Sequence, residues 1–278
     1  MQSRKSTIIL LVSFFIGLSV LLYPSISSYW NSKTQTKAII DYESMLANYK
    51  PEDYTSIFES ADAYNAELSK LEYQFRDYNT LDDDYWKILN VSGNGMMGYI
   101  TIKKINQELP VYHGTEDAVL SFAVGHFQGS SLPVGGKTTH SVVSAHRGLP
   151  SAVLFTHLDR MEIGDTFYFT ILDRTLTYEV DQIRIVDPSD VNLIKIEEGK
   201  DYCTLLTCTP YGINSHRLLV RGHQIDASQK RNIYIANEAY RIDSLIVTPI
   251  VALPIIAVLM IYVMFAPVKK ESLGEDLL

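Results

Sequence analysis

The sequence predicts a mainly β domain, a barrel or a sandwich, with a helical region before it and a transmembrane helix on either side. Three observations predict this. From residue 93 onward, short alternating stretches separated by Gly, Pro, Asn and Asp follow one another. Ahead of them, apolar residues recur at the spacing of a helix face. Near each end lies a long apolar run without charge.

The bulk composition fits such a chain. Of 278 residues, 46% are apolar and 20% charged, which suits a packed core and excludes a disordered chain. The net charge of −8 excludes a general affinity for nucleic acid.

The first apolar run covers residues 7–23 and follows Arg4 and Lys5. No small-x-small cleavage site ends it, so it predicts an uncleaved anchor. The second covers residues 244–266 and is followed by Lys269 and Lys270. Its Pro249 and Pro254 are tolerable in a membrane helix. Positive charge marks the cytoplasmic side, so residues 1–6 and 267–278 are both expected inside. Everything between the runs is then expected outside the cell. No Leu-Pro-x-Thr-Gly precedes the second run, which argues against a sorting signal of the chain's own.

Residues 24–92 form the expected helical region. Ala38, Ile39, Tyr42, Met45, Leu46 and Tyr49 follow a 3–4 spacing, Pro51 interrupts it, and Tyr54, Ile57, Phe58, Ala61, Tyr64 and Leu68 resume it. Asp82-Asp83-Asp84 reads as a solvated turn or helix start. Strands are expected at 98–102, 111–113, 138–145, 166–171, 176–186, 202–208 and 217–221, within a domain spanning 93–225. Residues 226–243 are polar and read as a tether to the second run.

The two cysteines, Cys203 and Cys208, lie five apart on one predicted strand. An odd offset places them on opposite faces, which argues against a disulfide. Cys203 sits mid-strand and is expected in the core. Cys208 ends the strand at the turn Thr209-Pro210-Tyr211-Gly212, where a substrate can reach it. A nucleophilic thiol needs a cation beside it. Of seven histidines, His146 alone has a matching setting, at the end of Ser141-Val142-Val143-Ser144-Ala145. Acyl transfer also needs oxyanion stabilisation. A hairpin returns Arg217 towards Cys208, but Arg221 shares its face, and spacing alone does not choose between them. No metal-binding spacing, phosphate loop or Gly-x-Ser-x-Gly elbow occurs, so no metal or cofactor is expected.

These residues resemble a known family. Thr204-Leu205-Leu206-Thr207-Cys208 is similar to the sortase signature Thr-Leu-x-Thr-Cys. Ala145-His146-Arg147-Gly148-Leu149 resembles the family's histidine segment, and Tyr211 to Leu218 carries its downstream arginine. The resemblance implies a sortase-like closed β-barrel and a cysteine transpeptidase with Cys208, His146 and Arg217 as catalytic residues. Thr207, Leu206 and Tyr211 are the expected substrate contacts. Gly98-Tyr99-Ile100, Leu109 to Thr115, Arg147 to Ala152 and the second apolar run resemble class C, the pilus-assembling sortases of Gram-positive bacteria.

That class implies cleavage of a Leu-Pro-x-Thr-Gly-like signal at Thr–Gly and transfer of the acyl group to a pilin lysine. The implied partners are pilin subunits and the plasma membrane. An alternative is a housekeeping sortase whose acceptor is a peptidoglycan precursor. An alternative of another class is a membrane-tethered scaffold with an inert barrel. Many class C sortases carry an Asp-Pro-Phe or Asp-Pro-Trp lid, yet no Asp-Pro precedes Leu89-Asn90 here. Tyr78 and Trp86 are the candidates for a similar part.

Overall fold

The structure is a computed structural model, which describes residues 4–77, 81–226, 256 and 258. The chain divides into two compact units, residues 1–25 with 235–278, and residues 26–234. The second apolar run at 244–266 and the tail at 267–278 lie outside the described residues, apart from Ile256 and Val258, and so does the tether beyond Asp226.

The expected anchor and helical region meet without a break. Helix α1 runs Arg4–Leu46 straight through Pro24, so residue 23 is not the end of a helix. Proline removes one backbone donor and bends a helix, but the turns on either side keep their own bonds. By length and composition, the stretch Ile8–Leu46 could cross a membrane. Helix α2 spans Pro51–Leu68 with proline in its first turn, where no donor is needed, so Pro51 starts a helix as well as ending the pattern before it. Beyond it come only single turns, α3 at Gln74–Asp77 and α4 at Asp82–Tyr85.

The 3–4 spaced residues do pack as a face. Ile39, Tyr42, Leu46, Phe58, Ala61, Tyr64 and Leu68 are all buried in the main core. Polar side chains fix the two helices to the barrel. Gln35 donates to the Phe122 carbonyl at 2.7 Å, and Asn31 to that of Ser151 at 2.8 Å. Tyr42 donates to Met97 O and accepts from Leu172 N, each at 3.0 Å, while burial pushes its hydroxyl up to about 12. Asn65 makes a paired bond to Leu132, donating at 3.0 Å and accepting at 2.7 Å.

Eight strands close into a barrel: β1 Met96–Ile102, β2 Gln107–His113, β3 Val124–His126, β4 Thr139–Ser144, β5 Thr166–Ile171, β6 Arg174–Val186, β7 Asp201–Thr209 and β8 His216–Ile225. Their order around the barrel is β1-β2-β3-β4-β7-β8-β6-β5, with β5 returning to β1. Closure leaves no free sheet edge. The pairs β2/β3 and β4/β7 are parallel, and the others are antiparallel. Strand β3, three residues long, was not expected.

Alternation splits β4, β7 and β8 between two apolar layers. Val143, Cys203, Leu205, Leu218 and Val220 face the barrel core. Val142, Leu206 and Leu219 face outward into a second, smaller cluster with Ile194. The candidate site sits at the end of this outer layer.

Candidate active site

Cys208 and Arg217 are directly opposed in the antiparallel β7–β8 ladder, with Leu206 opposite Leu219 one step inward. Strand β4 runs parallel to β7 on the other side, with Ser144 level with Leu206. The pairing extends one residue past β4. Ala145 N donates to Leu206 O at 3.2 Å, and Thr207 Oγ1 donates to Ala145 O at 2.7 Å. His146 therefore follows at the level of Cys208. Three residues from three chain segments arrive at one rung of the sheet.

They line one cleft of about 310 Å³. Ser144, Leu206 and Leu219 also line it, as do Phe127, Val191 and Ile194. Cys208 and His146 are half-buried, so both are reachable. Cys203, as expected, is free and fully buried, and burial pushes its thiol well above the ordinary value. Its burial puts it out of a substrate's reach.

The structure also separates the two arginines. Arg221 is bidentate on Asp181 at 3.0 Å through each nitrogen, and its guanidinium lies 4.0 Å over the Tyr202 ring. Arg217 donates only to the carbonyls of Asn214 at 3.2 Å and His216 at 3.1 Å. Among the described residues no carboxylate forms an ion pair with it, and it lines the cleft.

His146 is the one histidine of seven that lines the cleft. His126 and His140 are deep in the protein, and burial pulls them down to about 3 and about 4. Their ring nitrogens face Ser131 O at 2.9 Å and Lys195 O at 2.8 Å. His113 is also lowered by burial and has carbonyls of Gly95 and Ile88 at 2.9 Å on its two nitrogens. His216 is exposed, 3.7 Å from Asp187.

Other expected residues fall differently. Leu206 lines the cleft. Thr207 does not touch it: alternation turns its side chain into the barrel, where it is fully buried and bonded to Ala145 O. Tyr211 is exposed and packs on the loop after His146, where a β-carbon on Gly148 would come within 2.9 Å of its ring. Gly148 also has a φ of +77°, which glycine adopts most easily.

Trp86 stacks near Tyr85 and His113, with ring centroids at 5.0 and 6.0 Å, and does not line the cleft. Tyr78 lies outside the described residues. A side chain that sequence reasoning passed over packs behind residues that line the cleft. Phe75 of α3 packs on the Ile194–Leu219 cluster, with its ring 5.8 Å from that of Phe127. Its neighbour Gln74 is buried, donating to Gly129 O at 2.7 Å and accepting from Ile196 N at 3.1 Å. The signal available was a lone aromatic in Phe75-Arg76-Asp77, without the proline of the lid motif.

Comparison with known proteins fits this geometry. A Sortase domain model matches residues 100–225. Sortase C1 of Streptococcus agalactiae is 47% identical, with a TM-score of 0.65, over 68% of this chain and 98% of that one. The chain belongs to the sortase family. Other solved sortases are similar to it. Streptococcus pneumoniae sortase C, whose structure was analysed for pilin substrate specificity, is 44% identical over 68% of this chain and 97% of its own, with a TM-score of 0.62. Clostridium perfringens sortase C, solved with the C-terminal cell wall sorting motif, is 41% identical over 69% of this sortase and 99% of its own chain, with a TM-score of 0.59. Among curated proteins, Sortase D of Bacillus subtilis is 30% identical over 131 residues, 46% of this sortase and 63% of that protein. The matched stretch therefore spans less than two thirds of that relative.

Proposed function

We propose that this sortase is a cysteine transpeptidase that joins pilin subunits at the outer face of a membrane. The observation that carries the reading is the shared rung. Cys208, Arg217 and His146 reach one cleft from three strands or strand ends, and Arg217 has no carboxylate partner there. Class C neighbours, one of them studied for pilin specificity, support the choice of substrate.

In this reading the Cys208 thiolate attacks the Thr–Gly carbonyl of a Leu-Pro-x-Thr-Gly-like signal. Arg217 holds the oxyanion as the tetrahedral centre forms. The C–N bond breaks, and the leaving glycine amine takes its proton from the His146 imidazolium. A thioester on Cys208 remains. A pilin lysine amine then attacks it, the C–S bond breaks, and His146 takes the amine's proton. The product is an isopeptide bond, and the thiolate is restored. An apolar cleft floor formed by Leu206 and Leu219 suits the apolar side chain that opens such a signal.

The domain assignment belongs to the same proposal: catalysis within residues 93–225, anchoring through residues 7–23 and 244–266, and both termini inside the cell. Confinement of enzyme and pilin to one surface raises their effective concentration. The test is incubation of the full-length protein in lipid vesicles with a pilin bearing its sorting signal. A ladder on a denaturing gel that is absent in Cys208→Ala is expected. A trapped thioester without a ladder, discharged by a peptidoglycan-precursor amine, would reassign the acceptor to the cell wall. The absence of both a ladder and a thioester would refute the chemistry.

A further inference from the structure

We propose that Arg147 is a positioning residue, which clamps the loop carrying His146 to the end of the strand carrying Cys208. The proposal rests on the transpeptidase reading of the site and adds a residue to it.

Arg147 follows His146 directly, yet its side chain is turned away from solvent and is only 10% exposed. Charged side chains are seldom buried to that extent unless they are paired. Here the guanidinium grips two elements at once. Nη1 donates to Thr209 Oγ1 at 3.2 Å, and Nη2 donates to Asp159 Oδ2 at 2.6 Å. Thr209 is the residue after Cys208. Asp159 lies in the short helical turn Leu158–Arg160, at the far end of the loop that His146 opens. A planar fork with fixed angles between its N–H groups holds two acceptors at a set separation, which a lysine ammonium on a flexible stem does not.

The pattern of ties is symmetrical about the reactive pair. Ala145, before His146, is bonded to Leu206 and to Thr207, before Cys208. Arg147, after His146, is bonded to Thr209, after Cys208. The imidazole and the thiol are thus bracketed on both sides, and neither can slide along its strand independently of the other. Without Arg147, the hydrogen bonds that remain at Ala145 and His146 are those of Ala145 to β7 and, within the loop, that of Phe155 N to His146 O at 3.2 Å. The loop would then pivot about Ala145, and the imidazole would swing relative to the thiol. Gly148 packed against Tyr211 adds a third contact, but one without directional bonds.

One feature sets this clamp apart from an ordinary surface ion pair. Arg147 Nε is buried with no hydrogen-bond partner among the described residues. An unsatisfied buried donor is costly, and an apolar side chain of similar size would avoid that cost. The fork grips Thr209 and Asp159 despite it, which suits a role in aligning the site better than one in loop stability alone.

The test uses full-length protein in vesicles and the variants Arg147→Met, Thr209→Val and Asp159→Asn. Three readouts separate alignment from stability: kcat and KM for thioacyl transfer from a sorting peptide, the pH dependence of Cys208 alkylation by a small reagent, and the thermal midpoint. For Arg147→Met we expect kcat to fall about 30-fold with KM within about twofold, and alkylation at acidic pH to fall at least tenfold relative to alkaline pH. Thr209→Val removes one acceptor while leaving the Arg147–Asp159 pair, so it should shift the pH profile in the same direction by a smaller amount.

A folded Arg147→Met protein with unchanged kcat and an unchanged alkylation profile overturns the proposal. If that variant does not fold, Thr209→Val and Asp159→Asn decide the matter, and unchanged profiles in both overturn it equally. Retained transfer in Cys208→Ala is a different failure: it would remove the transpeptidase reading itself, whatever Arg147 does.

Discussion

Helix α3 offers the most quantitative prediction. Gln74 ties this turn to two connections of the barrel, donating to Gly129 O and accepting from Ile196 N. A buried amide bond contributes about 1 kcal/mol net, so the pair holds α3 in place by about 2 kcal/mol. Phe75 adds an edge-on contact with Phe127, worth roughly 1 kcal/mol beyond its buried area. Gln74→Ala should therefore raise the open-to-closed ratio of α3 by about 30-fold, since 1.4 kcal/mol is a factor of ten. Phe75→Ala should add about another fivefold. If α3 competes with substrate for the apolar end of the cleft, the apparent affinity for a sorting peptide improves by up to those factors. The assay is the rate of thioacyl formation on Cys208 at low peptide concentration, in the parent and both variants. Equal rates in all three, with all three folded, would show that α3 does not gate the cleft.

Further expectations concern the site and its scaffold. Cys203→Ala should keep transfer activity and cost about 1 kcal/mol in urea unfolding, because it removes one small buried group, while Cys208→Ala should form no thioester. Arg217→Ala should slow thioacyl formation by about 100-fold or more, as loss of an oxyanion donor does; Arg221→Ala should instead lower stability by about 2 kcal/mol through loss of its partly buried pair with Asp181, and single-turnover rates beside urea midpoints separate the two effects. Stability should also fall in mild acid. Folding depresses His126 and His140 to about 3 and about 4 from 6.5, so the unfolded chain binds more protons between those values. Their contribution is complete above pH 6.5 and is lost as pH falls towards 4 and then 3, by several kcal/mol in order of magnitude. Urea midpoints that stay flat from pH 7 to 4 would contradict this.

The candidate residues Cys208 and His146 were legible because each ends an alternating stretch at a turn. That pattern survives in a linear sequence, and it placed Cys208 and His146 on one side of the barrel. It could not distinguish Arg217 from Arg221, which share a face; the structure pairs Arg221 with the Asp181 carboxylate, from a strand 40 residues earlier in sequence, and places Arg217 at the cleft. Thr207 was misplaced because a signature motif does not say which of its residues point inward. The role of Gln74 was invisible for a similar reason. Its two partners are backbone atoms 55 and 122 residues away, and backbone atoms leave no trace in a sequence. Helix α1 runs past its expected break because a single proline weakens a helix without ending it.

The parallel pairing of β4 with β7 also makes the chain unequally tolerant of changes in length. A strand alternates with a period of two, so one residue added inside β7 before Cys208 would rotate the thiol into the barrel and bring Thr207 out in its place. The same insertion in β4 would detach His146 from the rung. Added residues in the connection between β6 and β7, residues 187–200, change neither phase. Divergence among chains of this kind is therefore expected to accumulate as loop length, while the count of residues from the start of β7 to its cysteine stays fixed.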